Sequence, residues 1–220
     1  MRITKRAIVV GGSGNLGKWI VDALRTRWEV TSIDFAANEF AKANILLSDS
    51  DTYTTHAELC SKQLEKKYDA IICAKDSCNP GSIFEEDIFE KVEEMLRTNL
   101  SPSVLTGHIA SKHLEDGGFL LFTGGVLPFK DSLTEYLPFC LAKNSVHMLA
   151  LNMAKRENLP SDVVVASALP NFLEKPDCSV TDPKELASII KDWANGSRRP
   201  DNGSFASFKM VEGKLIPEYI

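Results

Sequence analysis

The chain has 220 residues, 44% hydrophobic, 25% charged and 8% aromatic, a balance that excludes disordered, collagen-like and low-complexity proteins. Twenty-five Lys and Arg against 30 Asp and Glu give a net charge of −5, so no broad positive field invites nucleic acid. Five cysteines (Cys60, Cys73, Cys78, Cys140 and Cys178) are odd in number and lack C-x-x-C spacing, which argues against a disulfide framework or zinc site and for reduced thiols in a cytoplasmic protein. The first apolar run, at 7–10, leaves no room for a secretion signal, and no stretch nears the roughly 18 apolar residues of a membrane helix, so no membrane partner is expected.

In chain order, short β-branched apolar runs alternate with segments of helical period. A strand at 7–10, a helix at 15–27 and a strand at 28–34 make a βαβ unit. A short strand at 44–47 and a polar helix at 53–67 follow, then a fully apolar strand at 69–74. Helices are expected at 83–96 and 102–114. Gly117-Gly118 reads as a turn into a strand at 119–123, which Gly124-Gly125 ends. A helix at 138–156 precedes a strand at 163–169 and a loop after Pro170. Asp182 as N-cap, Pro183 at the first helical position and Glu185 in the first turn open a helix to about 193–194. A hairpin closes the chain, 204–210 against 214–216 across Glu212-Gly213. The expectation is one domain over 1–220, an α/β fold with a doubly wound parallel sheet and helices on both faces.

Gly11-Gly12-Ser13-Gly14-Asn15-Leu16-Gly17 follows the first strand and opens the first helix. The pattern G-x-G-x-x-G in that context is the fingerprint of a Rossmann-type dinucleotide site. Glycines permit a tight turn and close approach of backbone N–H groups to a pyrophosphate, at a helix terminus of partial positive charge. Asp34 ends the second strand, where a carboxylate bonds ribose hydroxyls and repels a 2′-phosphate; with Phe35 next and no Arg beside it, NADH is expected over NADPH.

With this loop, Asp34, Asn99 at the end of a helix, Lys143 in a later helix and Pro170 after a strand, the chain resembles the short-chain dehydrogenase/reductase family. Within it, the nearest likeness is to the dihydropteridine reductases, carried also by Asp69–Cys73, Ser111-Lys-His-Leu-Glu-Asp-Gly-Gly118, Ala142-Lys-Asn-Ser-Val-His147 and Arg199-Pro-Asp-Asn-Gly-Ser204. The resemblance implies an NADH-dependent oxidoreductase reducing a quinonoid dihydropterin or a similar small conjugated molecule. It also implies a homodimer built on the helices at 83–114 and 138–156. It places Gly11, Gly12, Gly14, Asn15, Leu16, Gly17, Asp34, Phe35, Ala74, Asn99, Lys143 and Pro170 at the cofactor.

Three departures stand out. Family members carry a proton-donating Tyr four residues before the Lys, and this chain has Phe139 there, which has no proton to give. Lys143 and Tyr136, seven residues before it, are the catalytic candidates. Ala74-Lys75-Asp76-Ser77 puts bulk and charge where the family has glycines, and Leu173–Asp177 reaches Pro183 so soon that the substrate lid reads as truncated. The alternative to an enzyme is an NADH-binding module, catalytically impaired, whose surface serves a partner. His108 and His113 lie about 140° apart on a helix, so no metal site is expected. His147 reads as a packing residue, Cys78 and Cys140 as non-nucleophilic thiols, and Lys62, Lys66 and Lys67 as a solvated helix face.

Overall fold

A computed structural model describes residues 4–129, 134–172 and 180–220. Its centre is one eight-stranded sheet of β1 (Lys5–Val10), β2 (Trp28–Asp34), β3 (Ala43–Leu46), β4 (Tyr68–Cys73), β5 (Leu114–Thr123), β6 (Val164–Leu169), β7 (Ser204–Val211) and β8 (Lys214–Tyr219). The order is β3-β2-β1-β4-β5-β6-β7-β8, parallel throughout except for the β7–β8 hairpin. Strand order reverses between β1 and β4, the switch point at which such sheets open a ligand crevice.

The apolar runs are long because the central strands are covered on both faces, and strand period sorts their side chains. Ala7, Val9, Ala70, Ile72, Phe119 and Leu121 pack with α1 (Gly17–Leu24) and α6 (Pro183–Ala194) on one side. Ile8, Val10, Ile71, Cys73, Leu120 and Phe122 pack with α2 (Tyr53–Gln63), α4 (Ser101–His113) and α5 (Leu137–Met153) on the other. The expected α6 cap is present: Asp182 Oδ1 accepts from the N–H groups of Lys184 and Glu185 at 2.7 and 2.9 Å, with Pro183 at the first position. Glu212 and Gly213 both take positive φ in the final hairpin, as a two-residue turn requires.

Two expectations are corrected. The segments 83–96 and 102–114 are not separate helices: α3 (Ile88–Met95) runs through one wide turn of π geometry, Leu96–Leu100, directly into α4. Pro102 has no N–H and its ring crowds the carbonyl four residues back, and widening the preceding turn accommodates both without breaking the helix. Gly117-Gly118 is not a turn ahead of a strand. It lies inside β5, where Gly117 adopts φ +68° and the register against β4 shifts between Tyr68 and Ala70.

Among the described residues no helix is long and apolar enough to cross a membrane. Cys60, Cys73, Cys78 and Cys140 are free thiols; Cys178 lies outside the described residues, as does the segment Leu173–Asp177 expected to form a shortened lid.

Candidate active site

The site is assembled from the C-terminal ends of β1, β2, β4, β5 and β6. Strand hydrogen bonding extends one residue past three of them: Gly11 N–H donates to Ile33 O, Ala74 N–H to Val10 O and Gly124 N–H to Ala168 O, each at 2.8 Å. This fixes the loop origins with the precision of the sheet.

Gly11 takes φ +85°, open to glycine at little cost. A Cβ on Gly17 would lie 1.9 Å from the Gly11 carbonyl oxygen, so α1 packs on the loop only because that residue is glycine. A Cβ on Gly12 would lie 2.3 Å from Ser32 Oγ, Gly14 N–H donates to Gly11 O, Leu16 is buried and Asn15 exposed. This tight loop at a helix start fits a dinucleotide pyrophosphate. The candidates Gly11, Gly12, Gly14, Asn15, Leu16 and Gly17 therefore converge.

Asp34 lies next to the loop, but its carboxylate is not open. Oδ2 accepts from the Ser13 N–H at 3.0 Å and from the Ser13 hydroxyl; Oδ1 accepts from the Phe35 N–H at 2.8 Å and from Lys75 Nζ at 2.7 Å. Burial pushes the Asp34 carboxyl upward, but hydrogen bonds from Lys75 and Ser13 and the Lys75 charge outweigh it and hold it below the usual carboxylate range. Lys75 Nζ also lies 5.0 Å from the centre of the Phe35 ring. The expectation of NADH over NADPH rests on Asp34 as a bare carboxylate; in the structure that carboxylate is paired with a cation from the loop after β4.

Across the switch point, Lys143 is completely buried. Its Nζ lies 2.6 Å from Asp76 Oδ1 and donates to the Thr123 carbonyl at 3.0 Å. Phe139, one turn earlier on α5, lies below it, with Nζ 5.5 Å from the ring centre. The far edge of that ring packs on Gly125. Asp76, Leu127, Phe139, Pro170, Asn171 and Phe172 line a narrow cleft. The base of the loop beyond Pro170 is closed by Thr181: its hydroxyl accepts from Asn171 N–H and its N–H donates to Asn171 O.

Asn99 sits in the wide turn, fully buried, and its amide exchanges hydrogen bonds with the backbone of Ser77: Oδ1 accepts from Ser77 N–H at 3.1 Å and Nδ2 donates to Ser77 O at 2.9 Å. It thus holds the loop that carries Lys75 and Asp76. Tyr136 packs with Cys78 and Cys140 against Met95, Leu127, Phe139 and Ala142, and its backbone pairs with Gly81. His147 is buried as expected: Nε2 accepts from Gly125 N–H at 3.2 Å, and the ring meets Phe205 edge-on at 5.3 Å. Burial, with Lys143 nearby, pushes its imidazole down to about 4.

Asp76 and Lys75 were read from the sequence only as bulk and charge in place of glycines. Two adjacent ionisable residues directly after a buried strand were the signal that they face the site.

No family model matches the chain. It is 26% identical to the dihydropteridine reductase of Dictyostelium discoideum, over 94% of this chain and 95% of that protein. Among solved structures, a short chain dehydrogenase family protein from Francisella tularensis superposes with TM-score 0.78 at 17% identity, covering 93% of this chain and 96% of that one. A short-chain dehydrogenase/reductase from Serratia marcescens gives 0.77 at 19%, covering 95% and 96%. A short chain dehydrogenase from Burkholderia cenocepacia in complex with NADP gives 0.76 at 16%, covering 97% and 99%. The chain thus has the short-chain dehydrogenase/reductase fold and, along nearly its whole length, is a sequence relative of dihydropteridine reductase.

Proposed function

We propose that the protein is an NAD(P)H-dependent oxidoreductase that reduces a small conjugated C=N compound of the dihydropterin type. The observation that carries this is the fully buried Lys143 ammonium, ion-paired with Asp76, which lines a narrow cleft at the same C-terminal edge of the sheet as the glycine loop. The relationship to dihydropteridine reductase supports the substrate class.

Gly11, Gly12, Gly14 and Gly17 hold the pyrophosphate, the pocket of Asp34, Phe35 and Ala74 receives the adenosine half, and Pro170 and Lys143 border the nicotinamide half. A bound reduced nicotinamide supplies the electron pair. The chain must supply a proton without a Tyr at position 139. Lys143 Nζ carries it, oriented by Asp76 and the Thr123 carbonyl, and Asp76, partly open at the cleft, is the route for a replacement proton from solvent. Asn99 keeps that loop in register. Tyr136 is the second candidate donor.

The molecule acts as a homodimer in this reading. Val104 on α4 and Leu141, Met148 and Leu151 on α5 are exposed apolar side chains along one groove, with Met148 65% exposed.

The test is turnover of a quinonoid dihydropterin, beside a quinone panel, with both dinucleotides. Asp76→Asn should lower kcat about 100-fold and leave dinucleotide Kd nearly unchanged, as loss of a proton route predicts. A wild-type protein that binds dinucleotide and reduces nothing would refute the enzymatic reading.

A further inference from the structure

The adenosine end of the crevice presents a cation, although the sequence places a carboxylate there. Asp34 has a side chain only 3% exposed, and its two oxygens already accept four hydrogen bonds from protein donors, about all that a carboxylate offers. A ribose diol has no free acceptor to find on it. Lys75 is 26% exposed, lies across the glycine loop so closely that a Cβ on Gly11 would be 2.9 Å from its Cγ, and has its ammonium beside the Phe35 ring. Among the described residues Asp34 is the only hydrogen-bond partner of that ammonium, which carries three N–H donors.

From this arrangement we infer that Lys75 determines which dinucleotide the protein binds, and that it favours the 2′-phosphorylated form, NADPH. The Lys75 charge cancels the repulsion by which Asp34 would exclude a 2′-phosphate. Its remaining N–H groups donate to the phosphate oxygens, a charge-assisted contact that the ribose hydroxyl of NADH does not match. Asp34 then holds Lys75 in place instead of reading the ribose. The selectivity comes from the loop after β4, on the opposite side of the glycine loop from β2.

This inference rests on the dinucleotide reading proposed above, and one set of titrations separates the two. Calorimetric Kd values are measured for NADPH and NADH, and for 2′,5′-ADP against 5′-ADP as probes that lack the nicotinamide. The proteins are wild type, Lys75→Met, which keeps the aliphatic stem over Gly11, and Lys75→Arg, which keeps the charge. Wild type should bind NADPH and 2′,5′-ADP about tenfold or more tightly than their unphosphorylated counterparts. Lys75→Met should weaken the phosphorylated ligands about 10- to 100-fold, with little loss for NADH, and Lys75→Arg should retain most of the preference. Added salt should weaken NADPH more than NADH. A wild type that binds NADH in preference, or a Lys75→Met variant that weakens both forms equally, overturns this inference and leaves the dinucleotide reading standing. Failure of the folded wild type to bind any of the four ligands overturns both.

Discussion

His147 provides a quantitative check on how the site is supported. Its imidazole is buried and its Nε2 accepts the Gly125 N–H, so only the neutral ring fits. In the unfolded chain the same group titrates near 6.5, against about 4 in the fold. Between those values the unfolded state binds a proton that the folded state refuses. This contribution to stability is therefore constant above pH 6.5, declines as pH falls through the window, and is fully lost below about pH 4. The separation of about 2.5 pH units corresponds to about 3 kcal/mol in total, of which about 2 kcal/mol has gone by pH 5. His147→Gln keeps a carbonyl acceptor for Gly125 and removes the titration; losing the edge contact to Phe205 should cost about 1 kcal/mol at neutral pH. Urea unfolding of both proteins at pH 7.5, 6.5, 5.5 and 5 should show the wild type losing about 2 kcal/mol more than the variant. Parallel pH dependences would refute the assignment of a neutral, acceptor His147 beneath Gly125.

Two further outcomes are expected. Phe139→Tyr places a phenol one turn from Lys143 in the cleft lined by Asp76 and should raise reductase turnover at least tenfold with little change in melting temperature; a fall in melting temperature without faster turnover would mean that the hydroxyl is buried without a partner, a cost of about 1–3 kcal/mol. Met148→Lys puts a charge in the middle of the exposed α4–α5 groove and should shift light scattering from a dimer mass to about 24 kDa; an unchanged dimer would move the interface elsewhere.

Local pattern was enough to read the alternation of strand and helix, the glycine loop, the Asp182 cap and the final hairpin. Each depends on a periodicity or a turn chemistry spanning a few residues. Local signals failed where neighbours overrode them. Pro102 reads as a helix start, yet packing of α3 on α5 and of α4 on the sheet carries the helix through it, and the wide turn this creates is what buries Asn99 against Ser77. Gly117-Gly118 reads as a turn, yet β4 draws it into β5.

The sequence by itself determined that a dinucleotide-type loop precedes the first helix, that a carboxylate ends the second strand, and that a lysine and a phenylalanine share one face of a later helix. Only the tertiary structure decided what those charges face. Lys75 reaches Asp34 across 41 positions of chain, and Asp76 turns back to Lys143. Two adjacent residues of one loop thus neutralise opposite ends of the crevice. Side-chain period along a strand sets which face a residue occupies, but which distant ionised group it meets depends on strand order, and that follows from the packing of the whole sheet.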